Sequence, residues 1–331
     1  VIKIGIIANP ASGKDIRRLV SHATVVDNNE KVNIVERIAL AAQKCGVTKV
    51  YIMPDTYQIG YKVKDNLITS GELDIDIEVL KMKFRGNQLD TINAAEIMGE
   101  IKVGCIVALG GDGTCRLVAK GIKDIPFIGL STGTNNVYPK MIEGTVAGMA
   151  AAVAASKKYN IKDICKRDKR IEIYKNNKLI DIALVDVVLS KNIFIGAKAI
   201  WNSRDILKIM VTRGHPASIG FSSLVGCKKI VKEEDDFGIC IDLTQDKYKI
   251  KAPIAAGLVE EITLGEPEII EIDKEYKYVL ENQGIIALDG EREVAFNKGD
   301  EFTFKITRNG PFHVDIIKTL EIAQKNKFFN I

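Results

Sequence analysis

At 331 residues the chain is long for one domain, and two of ordinary size are expected. Its 47 Lys and Arg stand against 43 Asp and Glu, a net charge of only +4. Without a long basic run, so small an excess excludes nucleic acid as the main partner, though mild basicity suits a phosphate-bearing small molecule. Apolar residues make up 46% and charged residues 27%, enough to bury one or two sizeable cores. The six cysteines are scattered without a C-x-x-C pair, which reads as reduced thiols rather than a disulfide framework or zinc site. His22, His215 and His313 lie too far apart for metal-ligand spacing. No apolar stretch reaches the roughly 18 to 20 residues that span a bilayer. Val1 leads into a strand pattern with no signal-peptide architecture, so the expected compartment is the cytoplasm.

In chain order, residues 2–8 form a continuous apolar run, as expected of a strand buried on both faces of a parallel sheet. Helical spacing over 30–45 ends at Gly46, and a strand at 49–53 ends at Pro54. A helix around 58–69, a strand at 75–82, a helix over 88–101 and a buried strand at 103–109 follow. The alternation continues with a helix opening at Thr114, a strand at 126–130 and an Ala-rich helix at 142–156. Such repeated βα units predict an open parallel sheet with flanking helices over residues 1–160. The connection at 158–168, with Lys157, Lys158, Lys162, Asp163, Lys166, Arg167 and Asp168, reads as exposed. Beyond it the rhythm becomes mainly β. A hairpin is expected from 170–174 and 179–189 around Asn176-Asn177. Short strands follow at 193–201, 238–243, 248–251, 269–272, 284–288 and 301–307, making a sandwich-like domain over 161–315. Residues 316–331 form a closing helix or tail. The fold class is thus α/β followed by a β-rich, sandwich-like domain. The acidic run Glu233-Glu234-Asp235-Asp236 reads as a solvated turn, and Trp201 as a core or interface anchor.

The chemistry concentrates in Gly110-Gly111-Asp112-Gly113-Thr114, between a buried strand and a helix start. Ligands of open parallel sheets bind outside the carboxyl ends of the strands. Glycines allow positive φ and close approach to the backbone, so amide N–H groups can face phosphate oxygens. Thr114 is placed to cap the helix and aim its dipole at the same point. Asp112 stands out, because a carboxylate repels phosphate unless it partners Mg²⁺ or takes a proton from an attacking hydroxyl. The bland alternative is a tight βα turn. Ser12-Gly13-Lys14 is not a P-loop, since the pattern fails at Ala8 and Asp15.

Gly-Gly-Asp-Gly-Thr after a strand resembles the signature shared by NAD kinases, diacylglycerol kinases and sphingosine kinases. Asn9-Pro10-Ala11-Ser12-Gly13-Lys14 is similar to the Asn-Pro-x-Ser-Gly turn of the lipid-kinase branch, and Gly133-Thr134-Asn135-Asn136 to the second nucleotide loop. The whole is most similar to the acetoin-catabolism protein X branch. The resemblance implies an α/β nucleotide domain, a β-rich domain and a site between them. It places Asn9, Gly110, Gly111, Gly113, Thr114, Gly133, Thr134, Asn135 and Asn136 on the nucleotide, with Asp112 catalytic. Asp186, Ser218 and Ser222 fall on the acceptor side, and Asp289-Gly290-Glu291 matches a late site turn. Val185-Asp186 stands where NAD kinases carry Asn-Glu, and residues 217–221 depart from Gly-Ser-Thr-Ala-Tyr. The implied activity is Mg²⁺-dependent phosphoryl transfer from ATP to a hydroxyl, NAD by default, in a homo-oligomer. Two rivals stay open, a nucleotide sensor without acceptor chemistry and a lipid kinase.

Overall fold

In the computed structural model, which describes residues 1–12, 22, 24, 26–191 and 205–330, the first apolar run becomes β1 (Lys3–Ala8), buried from Ile4 onward. Strands β2 (Lys49–Ile52), β3 (Asp76–Val79), β4 (Cys105–Gly110) and β5 (Pro126–Ser131) join it in one parallel sheet, in the order β3-β2-β1-β4-β5. Successive side chains of a strand face opposite sides, so both faces need cover. On one face Ile4, Ile6, Val107 and Leu109 pack under α1 (Asn28–Lys44), α2 (Ile59–Thr69) and α5 (Gly144–Ala155). On the other, Ile7, Ile106 and Ala108 pack under α3 (Gln88–Glu100) and α4 (Asp112–Gly121).

Past α5 come a helical turn, α6 (Ile161–Ile164), and β6 (Cys165–Arg167), where the chain leaves this sheet. Two antiparallel sheets follow. One contains β7 (Arg170–Lys175), β8 (Lys178–Ala183), β15 (Glu275–Val279) and β18 (Glu301–Thr307), in the order β15-β18-β7-β8. The other contains β9 (Asp186–Ser190), β10 (Ile206–Val211), β11 (Phe237–Asp242), β14 (Glu268–Glu271), β16 (Gly284–Leu288) and β17 (Glu291–Phe296). Its order is β14-β11-β10-β9-β16-β17. Ile171, Ile173, Phe302 and Phe304 of the first sheet share a core with Val187, Leu189, Met210 and Leu288 of the second. On the second sheet's outer side, α7 (Phe221–Lys228) packs with a ribbon of β12 (Tyr248–Ala255) and β13 (Leu258–Leu264). The chain then returns to the parallel sheet through β19 (Phe312–Val314), parallel to β5 and antiparallel to β6, and ends in α8 (Ile316–Lys325) against α5.

The α/β and β-rich parts expected from the sequence are present, with two local corrections. The hairpin turns at Asn176 and Asn177, whose φ values of 51° and 60° are those of a left-handed two-residue turn. Its second arm is not one strand over 179–189, however. It breaks at Leu184-Val185 and continues as β9 in the other sheet, because the amides of residues 184–186 turn to the Asp289 carboxylate. Asp168, read as part of an exposed connection, is only 3% exposed. The strand expected at 193–201, with Trp201, lies outside the described residues. Among the described residues, no helix is long and apolar enough to cross a membrane.

Candidate functional site

The strand order locates the site. From β1 the chain winds outward to β2 and β3, whereas β4 and β5 lie on the other side of β1. The loops after β1 and β4 therefore diverge and leave a crevice at the carboxyl ends of the strands. Three loops meet there: Asn9 to Ser12 after β1, Gly110 to Asp112 after β4, and residues 131–138 after β5.

Short polar side chains lock these loops together. Asn9 Nδ2 donates to Thr114 Oγ1 at 3.0 Å, while its Oδ1 accepts from the Ala11 N–H at 2.9 Å, an Asx turn. The Ser12 and Thr132 hydroxyls meet at 3.1 Å, and the Thr132 N–H donates to the Gly110 carbonyl at 3.2 Å. Asn136 Nδ2 donates to Ser131 Oγ at 2.7 Å and to the Gly133 carbonyl at 3.2 Å. The Thr134 hydroxyl accepts from the Thr24 N–H at 3.3 Å. Asn135 Oδ1 is enclosed and accepts no hydrogen bond among the described residues. Beneath the first turn, the buried Lys31 ammonium donates to the Asn9 and Ser12 carbonyls and to Asn28 Oδ1 at 2.9, 2.7 and 3.1 Å. Gly13 and Lys14 lie outside the described residues.

Asp112 links the second loop to the third. Its Oδ1 accepts from the Val137 and Tyr138 N–H groups at 3.0 and 2.7 Å, and its Oδ2 from Val137 at 3.1 Å. Helix α4 thus begins at Asp112, with Gly111 as N-cap and no side-chain cap bond. This corrects the expectation for Thr114, which lies inside the first turn, 3% exposed, bonded to Asn9. The glycines are also needed for another reason than the one expected. None of Gly110, Gly111 and Gly113 has a positive φ. A Cβ at Gly111 would stand 2.7 Å from Asn136 Oδ1, and one at Gly113 would stand 2.5 Å from the Glu291 carboxyl carbon. Close approach of neighbouring side chains, not backbone handedness, demands them.

The β-rich part reaches this loop through Asp289 and Glu291. Asp289, at φ 50°, accepts from the N–H groups of Leu184, Val185 and Asp186 at 2.8, 2.7 and 3.1 Å, which anchors Asp186 at the start of β9. Burial pushes the Asp289 carboxyl up to about 6; the Arg116 charge and the amide bonds oppose this, and the Asp112 charge adds to it. Glu291 lies against Gly113 and accepts from Gln88 at 3.0 Å. Fully buried Arg116, one turn into α4, pairs with Asp181 of β8 at 3.0 Å and with Glu291 at 3.5 Å. Lys120 joins Asp181 at 3.0 Å. Asn9, residues 110–114, residues 133–136, Asp186, Asp289 and Glu291 are therefore brought into one neighbourhood.

Ser218 and Ser222 stand apart from these contacts, on the segment that follows β10 and opens α7. The Ser222 hydroxyl is fully buried with no hydrogen-bond partner among the described residues, and the Ser218 N–H donates to the His215 carbonyl at 2.9 Å. Among the described residues no three His, Cys, Asp or Glu side chains converge as a metal cage. Lys31, Arg116, Tyr138, Asp168 and Arg213 were not anticipated. For Arg116 the one sequence signal is a charge on the buried face of an amphipathic helix.

Comparison with known proteins agrees with this architecture. Residues 4–159 match the ATP-NAD kinase N-terminal domain, and residues 169–309 match the acetoin catabolism protein X C-terminal domain. Acetoin catabolism protein X of Cupriavidus necator is 34% identical over 333 residues, spanning 98% of this chain and 92% of the relative. The crystal structure of yeast NADH kinase complexed with NADH shares the fold, with a TM-score of 0.54 at 14% identity. That match covers 100% of this chain and 89% of the yeast chain.

Proposed function

We propose, for a chain that belongs to the acetoin catabolism protein X family and carries an ATP-NAD kinase N-terminal domain, that it transfers a phosphoryl group from ATP to a hydroxyl acceptor. The observation that carries this reading is the placement of Asp112. It stands in the first turn of α4, at the crevice where the sheet's winding reverses, with the Asn9 and Asn136 loops locked beside it.

Each part has a role in that chemistry. The first-turn amides and dipole of α4 face the phosphates. Asn135, whose Oδ1 has no partner among the described residues, and the loop of Gly133, Thr134 and Asn136 take the nucleoside. The Val137 and Tyr138 amides hold the Asp112 carboxylate in place, and in this reading it takes the proton of the attacking hydroxyl. In this reading Asp186, held beside Asp289, takes the acceptor side, and Ser218 and Ser222 belong to the segment that follows β10. NAD is taken as the default acceptor, a choice the match to the ATP-NAD kinase N-terminal domain supports.

Mg²⁺ usually keeps several waters and takes one or two carboxylates plus phosphate oxygens, rather than an all-protein cage. Asp112 lies at the phosphate end of α4 and suits that habit, so it would hold the ion as the alternative to taking the proton. When bound, it would neutralise charge developing on the transferred phosphoryl group.

The amide bonds to Asp112 also favour a second reading. A carboxylate used as a loop tie serves a nucleotide sensor equally well, and Val185 replaces the Asn found before the acceptor-side acid in NAD kinases. Incubation with γ-labelled ATP, Mg²⁺ and NAD, NADH, a diacylglycerol dispersion or a hydroxyketone separates the two. A labelled dinucleotide is the expected product. Nucleotide binding with no labelled product from any acceptor would replace the kinase by the sensor.

A further inference from the structure

The two amides that hold Asp112 belong to a residue pair with a second, buried attachment. Tyr138 is fully buried, and its Oη donates to Asp168 Oδ2 at 2.5 Å. Its ring stacks on His313 at 5.4 Å between centroids, and the Arg213 guanidinium lies over it at 4.8 Å. Arg213 Nη2 stands 3.5 Å from Asp168 Oδ1, and His313 Nδ1 3.5 Å from Asp168 Oδ2. Arg213 also donates to Glu233 at 2.8 Å, so that one residue of the acidic run is drawn inward while Glu234 and Asp236 stay exposed, as expected of a solvated turn. Lys140 reaches Glu233 at 3.4 Å from the same loop that carries Tyr138.

These residues come from five separate places: the loop after β5, the β6–β7 corner, the segment just after β10, the α7–β11 connection, and β19. They meet where the chain leaves the parallel sheet and where it returns. Arg213 begins the segment that runs through Ser218 to Ser222. From the Tyr138, Asp168 and Arg213 contacts we infer that these three residues form a latch, setting the Val137–Tyr138 peptide, and so Asp112, in register with the acceptor-side segment. The inference rests on the phosphotransferase reading above. Tyr138, Asp168 and Arg213 act as positioning residues: they touch neither nucleotide nor acceptor but fix the group that does.

Three physical points support it. A hydrogen bond to an ionised acceptor in a buried setting is among the stronger ones, and here it fixes the side chain of the residue whose backbone N–H donates to Asp112 at 2.7 Å. Asp168 is ionised in spite of its burial, because the Arg213 charge and the His313 contact hold it down to about 2. The latch is therefore charged, directional and out of reach of water. Finally, displacing a reacting group by about 1 Å costs on the order of a hundredfold in rate, so a tie one residue from Asp112 is enough to matter.

The test uses Tyr138→Phe, which removes only Oη and keeps the ring between His313 and Arg213, with Asp168→Asn as a second variant. Amide hydrogen exchange over residues 133–140, thermal melting, and kcat and KM for nucleotide are measured in each. In Tyr138→Phe, exchange is expected to accelerate by about tenfold and kcat to fall by about tenfold to a hundredfold, with KM for nucleotide and the melting midpoint little changed. Asp168→Asn should repeat the faster exchange. Unchanged exchange in Tyr138→Phe would overturn the latch. Faster exchange with unchanged kcat would overturn its positioning role. Exchange does not depend on turnover, so a parent protein that phosphorylates nothing refutes the function proposed above while the exchange result still decides the latch.

Discussion

Asp289 gives the sharpest physical test of how the β-rich part is fastened to the site. Its carboxyl is buried and pushed up to about 6, although three backbone N–H groups and Arg116 favour its ionised form. In the unfolded chain an Asp titrates near ~3.9. Between roughly pH 4 and pH 6 the folded protein therefore holds this proton more tightly than the unfolded chain does. The stability this group contributes is fully present below about pH 4 and is lost as pH rises through about 6, amounting to on the order of 3 kcal/mol. Groups held low in the fold, Asp168 at about 2 and Glu233, contribute the other way and lose stability as pH falls. The Asp289→Asn variant separates the two effects. Asn readily adopts the left-handed backbone found here, at φ 50°, and keeps one acceptor oxygen, so its loss of hydrogen bonding is an offset independent of pH. Urea unfolding of parent and variant is compared in steps from about pH 4 to about pH 8. The stability difference should move in the variant's favour by about 3 kcal/mol across that range. A flat difference, or movement in the parent's favour, refutes the reasoning.

Two further substitutions probe the loops. Lys31→Met removes the ammonium that ties the Asn9 and Ser12 carbonyls, and should cost about 2–4 kcal/mol in urea unfolding while weakening ADP binding by calorimetry. Stability unchanged in Lys31→Met would mean the tie contributes nothing. Gly113→Ala drives its methyl into the Glu291 carboxylate, which must swing away from Gln88 and Arg116, so stability should fall by only about 1–2 kcal/mol. ADP affinity should nevertheless fall about tenfold, because the methyl stands at the phosphate end of α4; unchanged affinity would place the phosphates elsewhere.

Much of the parallel sheet was legible because strands buried on both faces are continuous apolar runs, as in residues 2–8 and 103–109. The Gly-Gly-Asp-Gly loop was legible because its composition is unusual for a plain turn. The details that failed depend on partners far along the chain. Thr114 was expected as the cap, yet Asp112 is drawn into the helix by amides 25 and 26 residues away. The arm over 179–189 looks uniformly apolar, and only the carboxylate of Asp289, over 100 residues later, shows why it breaks. Asp168 reads as part of an exposed connection until its distant partners bury it, and nothing near Arg116 in sequence points to its pairing with Asp181. The short strands β6 and β19 carry too few residues for a period and exist by pairing with each other and with β5.

The central claim is that Asp112 takes the proton as a hydroxyl attacks the γ-phosphate, beyond its role in tying two loops. Single-turnover transfer from γ-labelled ATP to NAD, run side by side on the parent and Asp112→Asn, tests it most directly. The amide side chain keeps Oδ1 for the Val137 and Tyr138 N–H groups, so the variant should stay folded and bind ADP. Labelled dinucleotide is expected from the parent, and a rate at least about a hundredfold lower from the variant. Equal rates in the two proteins would contradict it, and would leave Asp112 as a tie between loops and nothing more.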